Sequence, residues 1–568
     1  MAQLLHLVTI ISYVALRTAA ISTSNHPDVD AAQQNAFAIF NSIHSAMRQW
    51  GSSVNHNGMS FYLATAPEGS VFYHGNRSPD PPGTFEWLSF EFEHAGSFAR
   101  SWEPRSFQNA LEEPPSGNAL AEALLWHRSS HYMAPCVALS EHDSFFDIIT
   151  AQRPISTSKR DDDDKDLPRR PRFPDKPVRG YLQMYRANRP LNLLYIDGQA
   201  AANCELGPID SQDTVLLDYG SSPPLIYDDY QRAADLCALA DEWAFPTGGK
   251  LDGFIRMEAG FEIIQCDFSA AGGLDLVSVQ ASPFRNESRS EEYNAYIHTF
   301  EWFRAVTERY HGHPAGRVDI DWSSMVSAYA YPVNLSNPDW SRQDLPRLVN
   351  ATREGTRGIR ERLRQVVSQR GGKHVADDRG VVDWQALADK IVTRFSDRLW
   401  YMANGRLTGD ALILTIGTVI DPFISYTDHT PMAENLAIGR CTQHYLDPTI
   451  LHHDVWTPED HVIAAAIETV SYKICDALFS ARNILRSHRT TPLHEVDSSV
   501  EQAQTVIRHL VEELRWTTWK ECGKCSSPDE VCVIPMFPFG ANTDYFSPSC
   551  KNITRFRSSM GYWRFGHW

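Results

Sequence analysis

The chain has 568 residues, enough to bury a large core and to hold two or more domains. Its formal net charge of −18 excludes nucleic acid or an anionic membrane as the main partner, because either would reward a basic surface. Past the N-terminus no apolar run has the length of a membrane span; the best, Ala411 to Ile420, is too short, so no stable span is expected once a leader is removed.

Leu4 to Leu16 is largely apolar, and the small residues Thr18, Ala19, Ala20 and Ser22 follow it in a cleavage-site arrangement. Residues 1–22 therefore read as a signal peptide; its start carries no Lys or Arg, and a buried N-terminal helix is the other reading. Two further patterns fit secretion. The sequons at Asn76, Asn286, Asn334, Asn350 and Asn552 have no Pro at their middle position and are candidate glycosylation sites. Ten cysteines, an even number, crowd toward the end as Cys522, Cys525, Cys532 and Cys550. The C-x-x-C is expected as a disulfide staple rather than a zinc or redox motif, because no second C-x-x-C accompanies it. The product is thus expected outside the cell.

Between Asp30 and Trp50 the residues Phe37, Phe40, Ile43, Met47 and Trp50 recur at helical spacing, with Asp30 as the cap and Gly51 as the stop. Strand-like runs follow at Met59 to Leu63 and Ser70 to Tyr73, separated by a turn at Pro67 to Gly69. Residues 155–178 shift to charge and proline with almost nothing to bury, as a disordered insertion would. Its Lys159-Arg160 pair suits a dibasic processing protease; an inert surface loop is the alternative. Strands resume at Tyr181 to Tyr185, Leu191 to Ile196, Thr214 to Leu217 and Phe261 to Cys266.

The expected fold class is therefore α+β, with residues 23–154 and 179–290 forming a split mixed-sheet domain. Residues 291–490 form a mainly α-helical domain, with helices over Tyr293 to Tyr310, Trp384 to Met402 and Pro458 to His488. Residues 491–568 add a helix over Ser499 to Trp516 and a cysteine-rich aromatic tail.

Three strand ends carry polar residues: Tyr73-His74-Gly75, then Ser89 followed by Ala95-Gly96-Ser97-Phe98-Ala99, and later Glu262-Ile263-Ile264. Their order resembles the ADP-ribosyltransferase fold, in which an early strand ends in His-Gly, a second ends in a hydroxyl residue before a helix of form A-x-x-(F/Y)-A, and a later one presents a catalytic Glu. The resemblance implies NAD as substrate, with Glu262, His74 and Ser89 catalytic and Tyr73, His74, Gly75 and Phe98 holding the cofactor. It implies cleavage of the nicotinamide–ribose bond, where Glu262 would face the oxocarbenium-like centre and stabilise it more than the ground state. Either transfer of ADP-ribose to an extracellular target or hydrolysis would follow. The chain as a whole is also similar to uncharacterised secreted proteins of filamentous fungi.

The alternative is a non-catalytic binding protein for a cell surface or matrix, suggested by the acidic Phe90-Glu91-Phe92-Glu93 stretch and by Trp516, Trp519, Tyr562, Trp563, Phe565 and Trp568 in the tail. No metal is expected. His429, Glu434, His444, His452, His453, Asp454 and His461 fall within a short span but show no fixed ligand spacing. No G-x-S-x-G elbow is present, and paired-acid glycoside hydrolysis stays open because the separation of acids is invisible in sequence.

Overall fold

In this computed structural model the described residues are 26–101, 176–284 apart from 221, 227 and 247, 287, 295–309, 317–372, 382–487, 493–557 and 561–563. The leader, Lys159-Arg160, Asn286, Phe565 and Trp568 lie outside them.

Among the described residues nine strands form one mixed sheet. They are β1 (Asn57–Ala66), β2 (Val71–Asn76), β3 (Glu86–Ser89), β4 (Tyr181–Ala187), β5 (Leu191–Gly198), β6 (Gly253–Met257), β7 (Phe261–Gln265), β8 (Leu274–Ala281) and β9 (Asp319–Ser327). The order across the sheet is β8-β4-β2-β3-β7-β6-β5-β1-β9, with every pair antiparallel except β5 and β6. β1 is buried along its whole length, because the helices Ala36–Ser45 and Arg353–Arg370 both pack on it. That is why Met59-Ser60-Phe61-Tyr62-Leu63 is largely apolar and shows no strict alternation.

Several expectations are revised. The helix expected over Asp30 to Trp50 is three short helices, Val29–Gln34, Ala36–Ser45 and Gln49–Val54, broken at Asn35 and again where Met47 takes φ 56°; Asp28, not Asp30, supplies the first cap. Thr214 to Leu217 is no strand but part of a π-helical turn, Gln212–Leu216, since a short apolar run carries no periodicity to separate the two. The segment expected to be helical also supplies β9, which pairs with β1 at the sheet edge.

The helices Trp384–Asn404, Pro458–Ser487 and Leu493–Leu514 build the C-terminal part. Pro458–Ser487 touches both Ala36–Ser45 and β9, so one hydrophobic core runs through the sheet and the helices. Among the described residues no helix is long and apolar enough to cross a membrane. The disulfides among the described residues are Cys237–Cys266, Cys441–Cys475, Cys522–Cys532 and Cys525–Cys550. The two C-x-x-C residues thus reach a hairpin, β10 (Glu530–Val533) and β11 (Ser549–Asn552), in which Cys532 stands opposite Cys550. Trp516, Tyr562 and Trp563 point inward and are buried. Asn334 and Asn350 are exposed, while Asn76 and Asn552 are half-buried.

Candidate active site

The three motif strands are neighbours, in the order β2-β3-β7, with β6 beside β7. Tyr73 stands opposite Ser89, Ser89 opposite Glu262, and Glu262 opposite Arg256. Directly paired residues project to the same face, so these four side chains form a row. His74 alternates to the other face. There its Nδ1 meets the Trp87 carbonyl at 2.8 Å and its ring stands edge-on to Phe268, with burial lowering its pKa to about 4. The structure therefore brings Ser89 and Glu262 together and sets His74 apart from them.

Gly75 shares the face of Tyr73, and the helix Phe92–Phe98 lies directly on it: a Cβ at position 75 would stand 2.1 Å from the Ala95 carbonyl oxygen. The glycine is thus explained by close approach of a helix backbone. Over the row the helix places Phe92 against Tyr73, with ring centroids 5.9 Å apart, and stands Phe98 beside His94 at 5.8 Å.

Around Glu262 the polar groups are buried and unevenly paired. Its Oε1 accepts from Arg256 Nη2 at 2.6 Å and from Nε at 3.2 Å. Arg256 also donates to both oxygens of Asp229, at 2.9 and 2.7 Å, and to Gln212 Oε1 at 3.1 Å. His94 Nε2 lies 3.2 Å from Glu258 Oε2, and Arg317 Nη2 donates to Glu91 Oε1 at 2.9 Å. One ligand atom each from His94, Glu258 and Glu262 lies within 4.8 Å of the others.

Electrostatics follow from the geometry. Burial, reinforced by Asp229, pushes the Glu258 carboxyl up to about 8. Burial raises Glu262 to about 7 against the pull of Arg256. Burial also lowers the His94 pKa, although Glu262 and Glu91 oppose it. Asp229 is raised by burial but held below the usual carboxylate range by Arg256. Groups poised near neutrality at one buried point are what acid–base chemistry requires.

Residues 21–289 match the model of the YPL277C N-terminal domain family. That span holds β1 to β8 and every member of the cluster except Arg317. The chain is 25% identical over 588 residues to "Uncharacterized protein YOR389W" of Saccharomyces cerevisiae, covering 88% of this chain and 81% of the relative. It is 33% identical over 257 residues to "Uncharacterized protein YPL277C" of the same yeast, covering 43% of each. No solved structure matches it. The expected likeness to uncharacterised fungal proteins is therefore found, and none of these relatives is described as an ADP-ribosyltransferase.

Sequence reasoning found Glu262 and Ser89 but assigned nothing to His94, Glu258, Arg256 or Asp229. A signal was present: Arg256 sits in Phe254-Ile255-Arg256-Met257, a charge within an apolar strand that demands a buried partner. In the helical half His453 and His461 come into ring contact at 5.1 Å. Among the described residues, however, it is His94, Glu258 and Glu262 that form a ligand-spaced group.

Proposed function

We propose that this chain is a secreted enzyme that cleaves a glycosidic bond, with NAD the first substrate to try, at the carboxylates Glu258 and Glu262. One observation carries the reading: the two acids lie within 4.8 Å of each other and have unlike partners. Enzymes that cleave glycosides with retention place two carboxyl groups about 5 Å apart. Glu262, fixed by Arg256, suits the charged role facing the oxocarbenium-like centre. Glu258 is hydrogen-bonded to His94 and suits the proton donor. Ser89 and Tyr73 continue the row beside Glu262, while His74 on the opposite face takes no part. Glu258 and Glu262 are buried, at 6% and 7% exposure, so a substrate as large as NAD reaches them only when the elements around them move. Secretion is supported by the disulfides, which fit an oxidising compartment.

The test is purified full-length chain with NAD, following nicotinamide release, and in parallel with a panel of aryl glycosides. Glu262→Gln is expected to lower the rate about 100-fold or more, and His74→Ala to change it little. No release by wild type from any substrate, or equal release by Glu262→Gln, ends the reading.

A second reading, a binding protein for a cell surface or matrix, is favoured by apolar side chains outside the site. Leu414, Tyr426 and Leu451 are 70%, 61% and 82% exposed. Of the features that suggested binding in the sequence, Phe90, Glu91, Trp516, Tyr562 and Trp563 are buried, while Phe92 is 46% exposed. Leu451→Glu abolishing adhesion to wall or matrix material, with Glu262→Gln leaving it intact, would favour this reading over catalysis.

A further inference from the structure

Two guanidiniums cannot neutralise four carboxylates. Around His94, Arg256 pairs with Asp229 and Glu262, and Arg317 pairs with Glu91, while Glu258 has His94 as its bonded neighbour. Counted as ionised, Glu91, Asp229, Glu258 and Glu262 exceed Arg256 and Arg317 by two negative charges, the charge of one divalent cation. An uncompensated buried charge is costly, so either protons on Glu258 and Glu262 or a bound cation must neutralise it.

The same place offers ligand atoms of suitable kind and spacing. His94, Glu258 and Glu262 each present one within 4.8 Å of the others, a set of one imidazole nitrogen and two carboxylate oxygens. Ligand atoms held at about 2.0–2.2 Å from one ion stand at most about 4.4 Å apart, so these side chains must draw together by a few tenths of an ångström to share it. A second observation points the same way. His94 Nδ1 and Glu91 Oε2 are both buried without a hydrogen-bond partner. They lie 2.9 and 3.0 Å from where a Cβ on Gly260 would stand. The two atoms flank one point without bonding each other, and a turn of the ring that joined them would give the orientation common in metal-ligating histidines, with the other nitrogen on the ion. Glu91 is itself fixed by Arg317, so it suits the part of a positioning residue for His94.

We propose that His94, Glu258 and Glu262 bind one divalent transition-metal ion, with Glu91 orienting His94 from behind and Gly260 leaving room for both. An imidazole with two carboxylates suits zinc or manganese. The ion would leave coordination positions for oxygen ligands such as water or the vicinal hydroxyls of a sugar. The site shares its residues with the enzymatic reading above but goes beyond it, since a carboxylate bound to the ion is not free to donate a proton, and it is read by metal content and not by turnover.

The experiment uses the full chain, stripped with chelator, incubated with Zn²⁺ or with Mn²⁺, desalted and assayed for bound metal by elemental analysis. About one ion per chain is expected for wild type, with affinity falling about 100-fold in Glu258→Gln and in His94→Gln, and about 10-fold in Glu91→Gln. His453→Ala is expected to leave binding unchanged. No retained metal in wild type, equal retention by Glu258→Gln and His94→Gln, or loss in His453→Ala overturns the proposal. Metal bound without nicotinamide or sugar release keeps the site and sinks the enzymatic reading; release unaffected by stripping, with no metal taken up, does the reverse.

Discussion

Two buried polar centres lie on the same sheet and are neutralised differently. Toward one edge, Asp197 at the end of β5 accepts from Ser42 Oγ at 2.7 Å and from the Gly198 amide at 2.8 Å, within a network that also joins Tyr62, Ser60 and Ser327. It has hydrogen bonds and no bonded cation, so one proton is enough to settle it. Near the middle, the Glu262 cluster has cations but more carboxylates than they can match. The first arrangement knits the helix Ala36–Ser45 to the strands; the second keeps reactive groups close to neutrality.

The sharpest way to break this contrast is to remove the cation. Arg256→Met leaves Asp229 and Glu262 buried without their shared partner and is expected to cost about 3–5 kcal/mol in urea unfolding. A smaller loss would mean that the cluster is neutralised by something other than Arg256.

Asp197 gives the next largest effect, with the opposite dependence on charge. Burial raises its pKa from 3.8 to about 6, despite the bonds from Ser42 and Gly198. A carboxyl raised in the folded state contributes stability below its unfolded value and loses it as pH rises through about 6. Relative to wild type, Asp197→Asn should therefore gain about 2–3 kcal/mol between pH 4 and pH 7. Parallel unfolding curves for the two proteins across that range would show that the network holds an ionised carboxylate comfortably.

Gly75→Ala is the mildest. Its Cβ would press on the Ala95 carbonyl, which is backbone and cannot swing aside, so the Phe92–Phe98 helix must shift. About 1–3 kcal/mol of destabilisation is expected, with amide exchange increasing in that helix while the Asp197 network keeps its protection. Equal loosening of both regions would show that the two centres are not independent.

Much of the framework was legible. β1, β2, β4, β5 and β7 announce themselves as short apolar runs bounded by turns, and Trp384–Asn404 and Pro458–Ser487 by their periodicity. β8 was not legible: it is an edge strand with exposed Leu276, Val277 and Val279, so it lacks the pattern that burial imposes on one face. β6 hides a charge among apolar neighbours, and its meaning depends on a strand register that puts Arg256 opposite Glu262. Glu262 could be picked out by the order of its motif. Glu258 and Asp229 could not, because their closeness to it is created by a turn and by a helix start that sequence spacing does not predict. His74 misled for a related reason: adjacency to Gly75 in sequence says nothing about which face of a pleated strand a side chain takes.

The Cys237–Cys266 bridge links the helix that begins at Asp229 to the residue that follows β7. Asp229 and Glu262, the two carboxylates sharing Arg256, are thus carried on elements clamped by one covalent tie. In a reducing environment that tie opens, and the two acids are held in register by packing alone. The bridge therefore acts as a molecular address: the centre is fully braced only where thiols are oxidised, and a copy retained in the cytosol carries the same residues on a looser frame.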